Sequence, residues 1–219
     1  MSLVSRQPRP LRREEARYRD DRLFIIACDD TYAPKQYFDF FQIPRIQVHV
    51  VSTEDGTSSA EHVLERLLGY EYDEGDERWL LLDTDHYIRD GHFASFSAAL
   101  TKARQHDVNI ALSKPCFELW LLLHHIDETA VTNLANAAAV EVKLRAVLGD
   151  YNKMRLKAAH FPIETILDAY ERAKRQDATV GGGDRPDGNT SWVYLLWESI
   201  ISKALPSQLP EPLNNWVFR

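Results

Sequence analysis

Four short runs rich in apolar and β-branched residues, set apart by amphipathic stretches, constrain this chain more than any other feature. They are Leu23–Cys28, Ile46–Val51, Trp79–Leu82 and Val108–Leu112. Leu23–Cys28 and Trp79–Leu82 are continuous and apolar, and read as strands covered on both faces, as in a parallel sheet. Ile46–Val51, β-branched, and Val108–Leu112 read as two further strands. The stretches between them have helical spacing. Pro34 suits a first helical turn and is followed by Tyr37, Phe38 and Phe41. Ser58 or Ser59 can cap a helix carrying Val63, Leu64, Leu67 and Leu68, with Gly69 as its stop. A third helix is expected over Phe93–Gln105. The order β-α-β-α-β-α-β predicts an α/β fold: a parallel sheet with helices on both faces. After His125 the strand signals stop. Ala135–Leu148, Ile163–Arg175 and Ser191–Leu205 read as helices, with a turn-rich loop over 176–188. The expected organisation is a basic arm over 1–22, an α/β core over 23–125 and a helical C-terminal extension over 126–219.

Composition narrows the class. Of 219 residues, 44% are hydrophobic and 27% charged, which excludes a disordered chain, a collagen-like fibre and a coiled-coil rod. No apolar run approaches the roughly 18 to 20 residues of a membrane span. The 26 Lys+Arg against 33 Asp+Glu give a net charge of −7. Yet the first 22 residues hold seven arginines: Arg6, Arg9, Arg12, Arg13, Arg17, Arg19 and Arg22. A basic arm on an acidic body is either a footprint for nucleic-acid backbone, with Arg12, Arg13 and Arg17 as contacts, or a solvated, frayed terminus. The start has no apolar signal-peptide core, and two cysteines, Cys28 and Cys116, make no disulfide framework. Both point to a reducing, cytoplasmic setting.

The chemistry is expected at strand ends, because open parallel sheets bind ligands beyond the carboxyl ends of their strands. Asp29 and Asp30 follow the first run, Asp83 and Asp85 the third. In an extended segment Asp83 and Asp85 would share a face. Carboxylates packed this closely repel one another unless a proton or cation intervenes. Hard oxygen ligands suit Mg²⁺ or Mn²⁺, which can polarise a phosphoryl oxygen. Helix capping is the plainer role for such acids, and phosphoacceptor domains and small-molecule enzymes carry similar ones. Glu118, in an apolar helix, needs a partner and is either a buried structural pair or a site residue. Lys153 reaches a phosphate or simply meets solvent. His86, His124 and His125 fit no zinc spacing. Gly181–Gly183 is not a P-loop, and Ser113 lacks the nucleophile-elbow glycines.

Several blocks, in order along nearly the whole chain, resemble RloB-like proteins: the Arg-rich start, Cys28–Phe38, Leu82–His86, Ser113–His124 (reading S-x-P-C-F-E-L-W-L-L-L-H), Tyr151–Lys153 and Asn189–Val193. The Ser113–His124 block is the most specific. The resemblance implies a Toprim-like fold, a Mg²⁺-dependent site for phosphodiester chemistry, and a place in prokaryotic phage defence, beside restriction genes and often a partner ATPase. It implies metal binding by Asp83 and Asp85, with Asp29 where the pattern has a Glu that binds metal or moves a proton. It leaves Glu118 and Lys153 without firm roles, and the choice of DNA or RNA and of monomer or homo-oligomer open. The first loop departs from the pattern C-E-G-E-x-T-E. Asp29 is one methylene shorter than Glu, Asp30 replaces Gly and Pro34 stands for the second Glu; beyond it, His86 stands where an acid is common. Two readings follow: a metal-dependent nuclease or nuclease-like effector, with Asp30 as an accessory acid, or an eroded module that binds nucleic acid or a partner without cutting. A small-molecule α/β enzyme is a third.

Overall fold

A computed structural model describes residues 21–53, 58–85, 87, 92–214 and 216. Strands β1 (Arg22–Cys28), β2 (Ile46–Val51), β3 (Glu77–Asp83) and β4 (Asn109–Lys114) lie parallel, in the order β2-β1-β3-β4. A short fifth strand, β5 (Thr190–Ser191), pairs antiparallel with β4, opposing Ser113 with Ser191. The sheet is therefore mixed, which corrects the expectation that strands end at His125. Two residues of Thr and Ser carry too little apolar pattern to announce a strand.

Side chains alternate across the strands and divide the core in two. Ile25, Ala27, Leu80, Leu82 and Leu112 pack on α2 (Ala60–Leu68) and α3 (Phe93–Gln105). Phe24, Ile26, Trp79, Leu81 and Ala111 face the other way. They meet α1 (Ala33–Asp39), α4 (Glu118–Leu123), α5 (Ala137–Leu148), α6 (Ile166–Asp177) and α7 (Val193–Lys203). A final short helix, α8 (Glu211–Asn214), adds Leu213 to that cluster. The helices after His125 thus complete, with α1 and α4, the layer over the second face. Its centre is Tyr37, wholly buried, whose ring meets Phe117, Trp120, Phe161 and Trp197 edge-on.

Local signals account for the helix ends. Ser59 caps α2 by accepting from the His62 N–H. Asn136 caps α5 through the Ala139 N–H, and Gly149, at φ 79°, closes it.

Candidate metal centre

β1 and β3 are neighbours, but the chain leaves them in opposite directions: from β1 through α1 outward to β2, from β3 through α3 to β4. That divergence opens a crevice at their carboxyl ends. Backbone bonds draw the third loop in. The Thr84 N–H donates to the Ser113 carbonyl at 3.0 Å, and the Asp85 N–H to Pro115 at 3.2 Å. The start of α4 is thereby brought beside the end of β3.

Each acid has a definite place. Asp29 joins the two strand ends: its Oδ2 accepts from the Asp83 N–H at 3.1 Å. Asp30 works with both oxygens. Its Oδ1 accepts from the Tyr32 and Ala33 N–H groups at 2.7 and 3.3 Å, holding the entry to α1, and its Oδ2 lies 2.7 Å from Lys153 Nζ. Asp30 occupies its turn without a positive φ, so the backbone does not demand glycine there. Asp83 ends β3 and is buried. Glu118 is 1% exposed at the first turn of α4. Its Oε1 accepts from Tyr151 Oη at 2.9 Å and lies 3.1 Å from Lys153 Nζ. Among the described residues its buried Oε2 has no hydrogen-bond partner. Carboxylate oxygens of Asp30, Asp83 and Glu118 all lie within 4.8 Å of one another.

The electrostatics follow from this crowding. Burial pushes the Asp29 carboxyl up to about 7; the Asp83 N–H bond opposes the shift, while the charges of Asp30 and Asp85 add to it. Burial, then the charges of Asp29, Glu118 and Asp30, raise Asp83 well above the usual carboxylate range, with Lys153 pulling it down. Burial alone would lower Lys153, but Glu118 and Asp30 outweigh it and hold the ammonium charged. Burial and then Glu118 raise the Tyr151 phenol, so it stays an O–H donor. The crevice in front of these groups, about 330 Å³, is lined by Asp29, Asp30, Tyr32, Asp83, Lys153 and Met154 among others.

Of the residues singled out from the sequence, Asp29, Asp30, Asp83, Glu118 and Lys153 converge. Asp85 stands slightly apart: the strand ends at Asp83 and the Tyr87 N–H turns back to the Thr84 carbonyl at 3.2 Å, so the two acids do not share an extended segment. It lies close enough to raise Asp29 but is outside the group of three. Glu118 proves to be both a buried ion pair and a member of the acidic group. His124 is not at the site: it bridges Tyr37 Oη (2.9 Å) and Thr165 Oγ1 (2.7 Å) within the core, and burial drives its pKa well down. Arg12, Arg13, Arg17 and His86 lie outside the described residues. Sequence reasoning gave Gln36 no role. Its Nε2 donates to the carbonyls of Tyr32 (2.9 Å) and Lys153 (3.0 Å), and its Oε1 accepts from the Leu156 N–H (2.9 Å). Those partners lie up to 120 residues away, so no local pattern marks them.

The fold and site define a doubly wound α/β protein with a buried carboxylate cluster at its switch point. The model of the RloB-like protein family matches residues 24–200, and the chain belongs to that family. No curated protein and no solved structure matches it.

Proposed function

We propose that this chain is a metal-dependent phosphodiesterase of the Toprim type, a nuclease or nuclease-like effector, whose ion is held by Asp30, Asp83 and Glu118. The observation that carries this reading is the buried Oε2 of Glu118, which among the described residues has no hydrogen-bond partner, in a group of carboxylates that Lys153 bridges at Asp30 and Glu118. A buried acceptor left unpaired costs on the order of 1–3 kcal/mol, more when charged, and a cation removes that cost. An all-carboxylate donor set is hard, which favours Mg²⁺ or Mn²⁺ over zinc. Bound there, such an ion supplies Lewis-acid polarisation of a phosphoryl oxygen.

The chain's own groups do the rest. Asp29, which bridges the ends of β1 and β3 through the Asp83 N–H and lines the crevice, is the group we assign to proton transfer. Lys153, tethered by Asp30 and Glu118, presents its charge to a phosphate at the crevice mouth. Tyr151 fixes the Glu118 carboxylate. The family resemblance supplies the setting we propose: prokaryotic phage defence in the cytoplasm, with a partner ATPase and DNA or RNA as target. Two observations fit it. Among the described residues no helix is long and apolar enough to cross a membrane, and Cys28 and Cys116 are free thiols. The test is nicking of supercoiled DNA and cleavage of RNA in Mg²⁺ or Mn²⁺. Wild type should cut and Asp83→Ala should fall to background; equal activity in both refutes catalysis at this site.

One observation favours a second reading. Lys153 already bridges Asp30 and Glu118, and Asp30 Oδ1 is engaged at the start of α1. A lysine that replaces the ion would leave a module that binds nucleic acid or a partner without cutting. Retained oligonucleotide binding, no cleavage and no uptake of Mn²⁺ would select this reading.

A further inference from the structure

We infer that Tyr32 and Met154 form a paired rim that holds an unpaired nucleobase, so that the site takes single-stranded rather than duplex nucleic acid. This rests on the phosphodiester reading above and adds its substrate class. Both residues line the crevice that contains Asp29, Asp30 and Asp83. Both are large and exposed, Tyr32 by 43% and Met154 by 61%. Exposed tyrosines elsewhere have partners: Tyr70 lies against His49, and Arg78 sits 4.0 Å over the ring of Tyr72. Among the described residues the Tyr32 ring stacks on no other ring or cation.

The backbone beneath the rim is built to hold still. The Tyr32 N–H is bound by Asp30, an acid of the site itself, and the Met154 N–H by Asn152 Oδ1 at 2.9 Å. The Gln36 amide joins the two segments by donating to the carbonyls of Tyr32 and Lys153. One side chain thus ties the two rim segments to each other, across 117 residues of sequence. Two exposed side chains on backbone segments that Gln36 joins, beside an ammonium and an acid cluster, match the chemistry of a nucleotide: a ring to stack and a phosphate to neutralise. Every base offers a π-face, so stacking is tolerant of sequence but requires a base free of its duplex.

The test is fluorescence-anisotropy titration of the full chain with a labelled single-stranded DNA, the same sequence as RNA, and the DNA duplex, with Ca²⁺ present to hold cleavage down. Tyr32→Ala should weaken single-strand binding about 5- to 150-fold, Met154→Ala by a smaller factor. Tyr32→Phe should stay within about 2-fold of wild type, and duplex binding should not change. The DNA and RNA arms show which sugar the rim accepts. The inference is overturned if wild type binds no single strand or prefers the duplex. Single-strand affinity that survives Tyr32→Ala, or single-strand and duplex affinity that fall together, overturns it too. Mn²⁺ titration of Asp83→Asn separates the two layers. Mn²⁺ uptake lost there, with Tyr32→Ala silent, removes the rim alone. Mn²⁺ uptake unchanged there removes the acid-cluster reading itself.

Discussion

Lys153→Met removes the cation that touches both Asp30 and Glu118 while keeping an unbranched apolar stem of similar length. The ammonium lies 2.7 Å from Asp30 and 3.1 Å from Glu118, carboxylates that are themselves buried. Breaking a fully buried pair from one side costs about 3–5 kcal/mol, because the remaining charge is stranded. The Lys153 side chain is 35% exposed, so water screens part of the interaction, and the lower figure of about 2–3 kcal/mol applies. At about 2–4 °C per kcal/mol for a chain of this size, the metal-free variant should melt about 4–12 °C below wild type. A divalent ion should bind the variant more tightly than wild type, because Lys153 competes with it for Asp30 and Glu118; at 100 times its Kd, mass action adds about 2.7 kcal/mol, and a tighter Kd in the variant adds more there. Thermal melts of both proteins, with EDTA and with Mn²⁺, measure this. The gap should be wide in EDTA and should narrow or invert in Mn²⁺. A variant that melts with wild type in EDTA would refute the account of Lys153. A gap that Mn²⁺ leaves untouched would refute the interchange of lysine and metal.

Three further outcomes follow from the same geometry. Asp29 has a folded-state pKa of about 7 against an ordinary 3.8, so between those values the folded chain holds a proton that the unfolded chain has lost; its contribution to metal-free stability should be full below about pH 4 and be lost as pH rises to 7, and urea titrations across that window should show wild type losing stability relative to Asp29→Asn. Tyr151→Phe deletes the O–H donor to Glu118 and should lower stability by about 1–3 kcal/mol, read as a reduced urea midpoint at unchanged slope. Ser59→Ala removes a cap whose bond to the His62 N–H is long, 3.4 Å, so the loss should sit near the low end, about 0.5 kcal/mol.

The legible part of the sequence was what depends on neighbours along the chain. Ile46–Val51 and Phe93–Gln105 coincide with β2 and α3 to the residue, because β-branched runs and helical spacing are local. The ends of β1 and β3 were legible as acid positions for the same reason. What depends on distant partners was not. β5 exists because Thr190 and Ser191 find an open edge at β4, not because they favour strand. Glu118 could be recognised as anomalous in an apolar helix, but its company was not, since Lys153 and Tyr151 arrive from a loop more than 30 residues away. The Asp83–Asp85 pair looked like one unit under strand periodicity, and the turn at Thr84 separates it. Asp30, an apparent departure in a glycine position, takes part in the cluster.

On the proposed reading, buried carboxylates from the loop after β1, the end of β3 and the first turn of α4 share a divalent ion. Isothermal titration with Mn²⁺ of wild type and of the near-isosteric Glu118→Gln tests it most directly. The account predicts saturable binding in wild type and its loss in Glu118→Gln, with both proteins folded by circular dichroism. Wild type that takes up no Mn²⁺, or a Glu118→Gln protein that takes it up equally well, would contradict it.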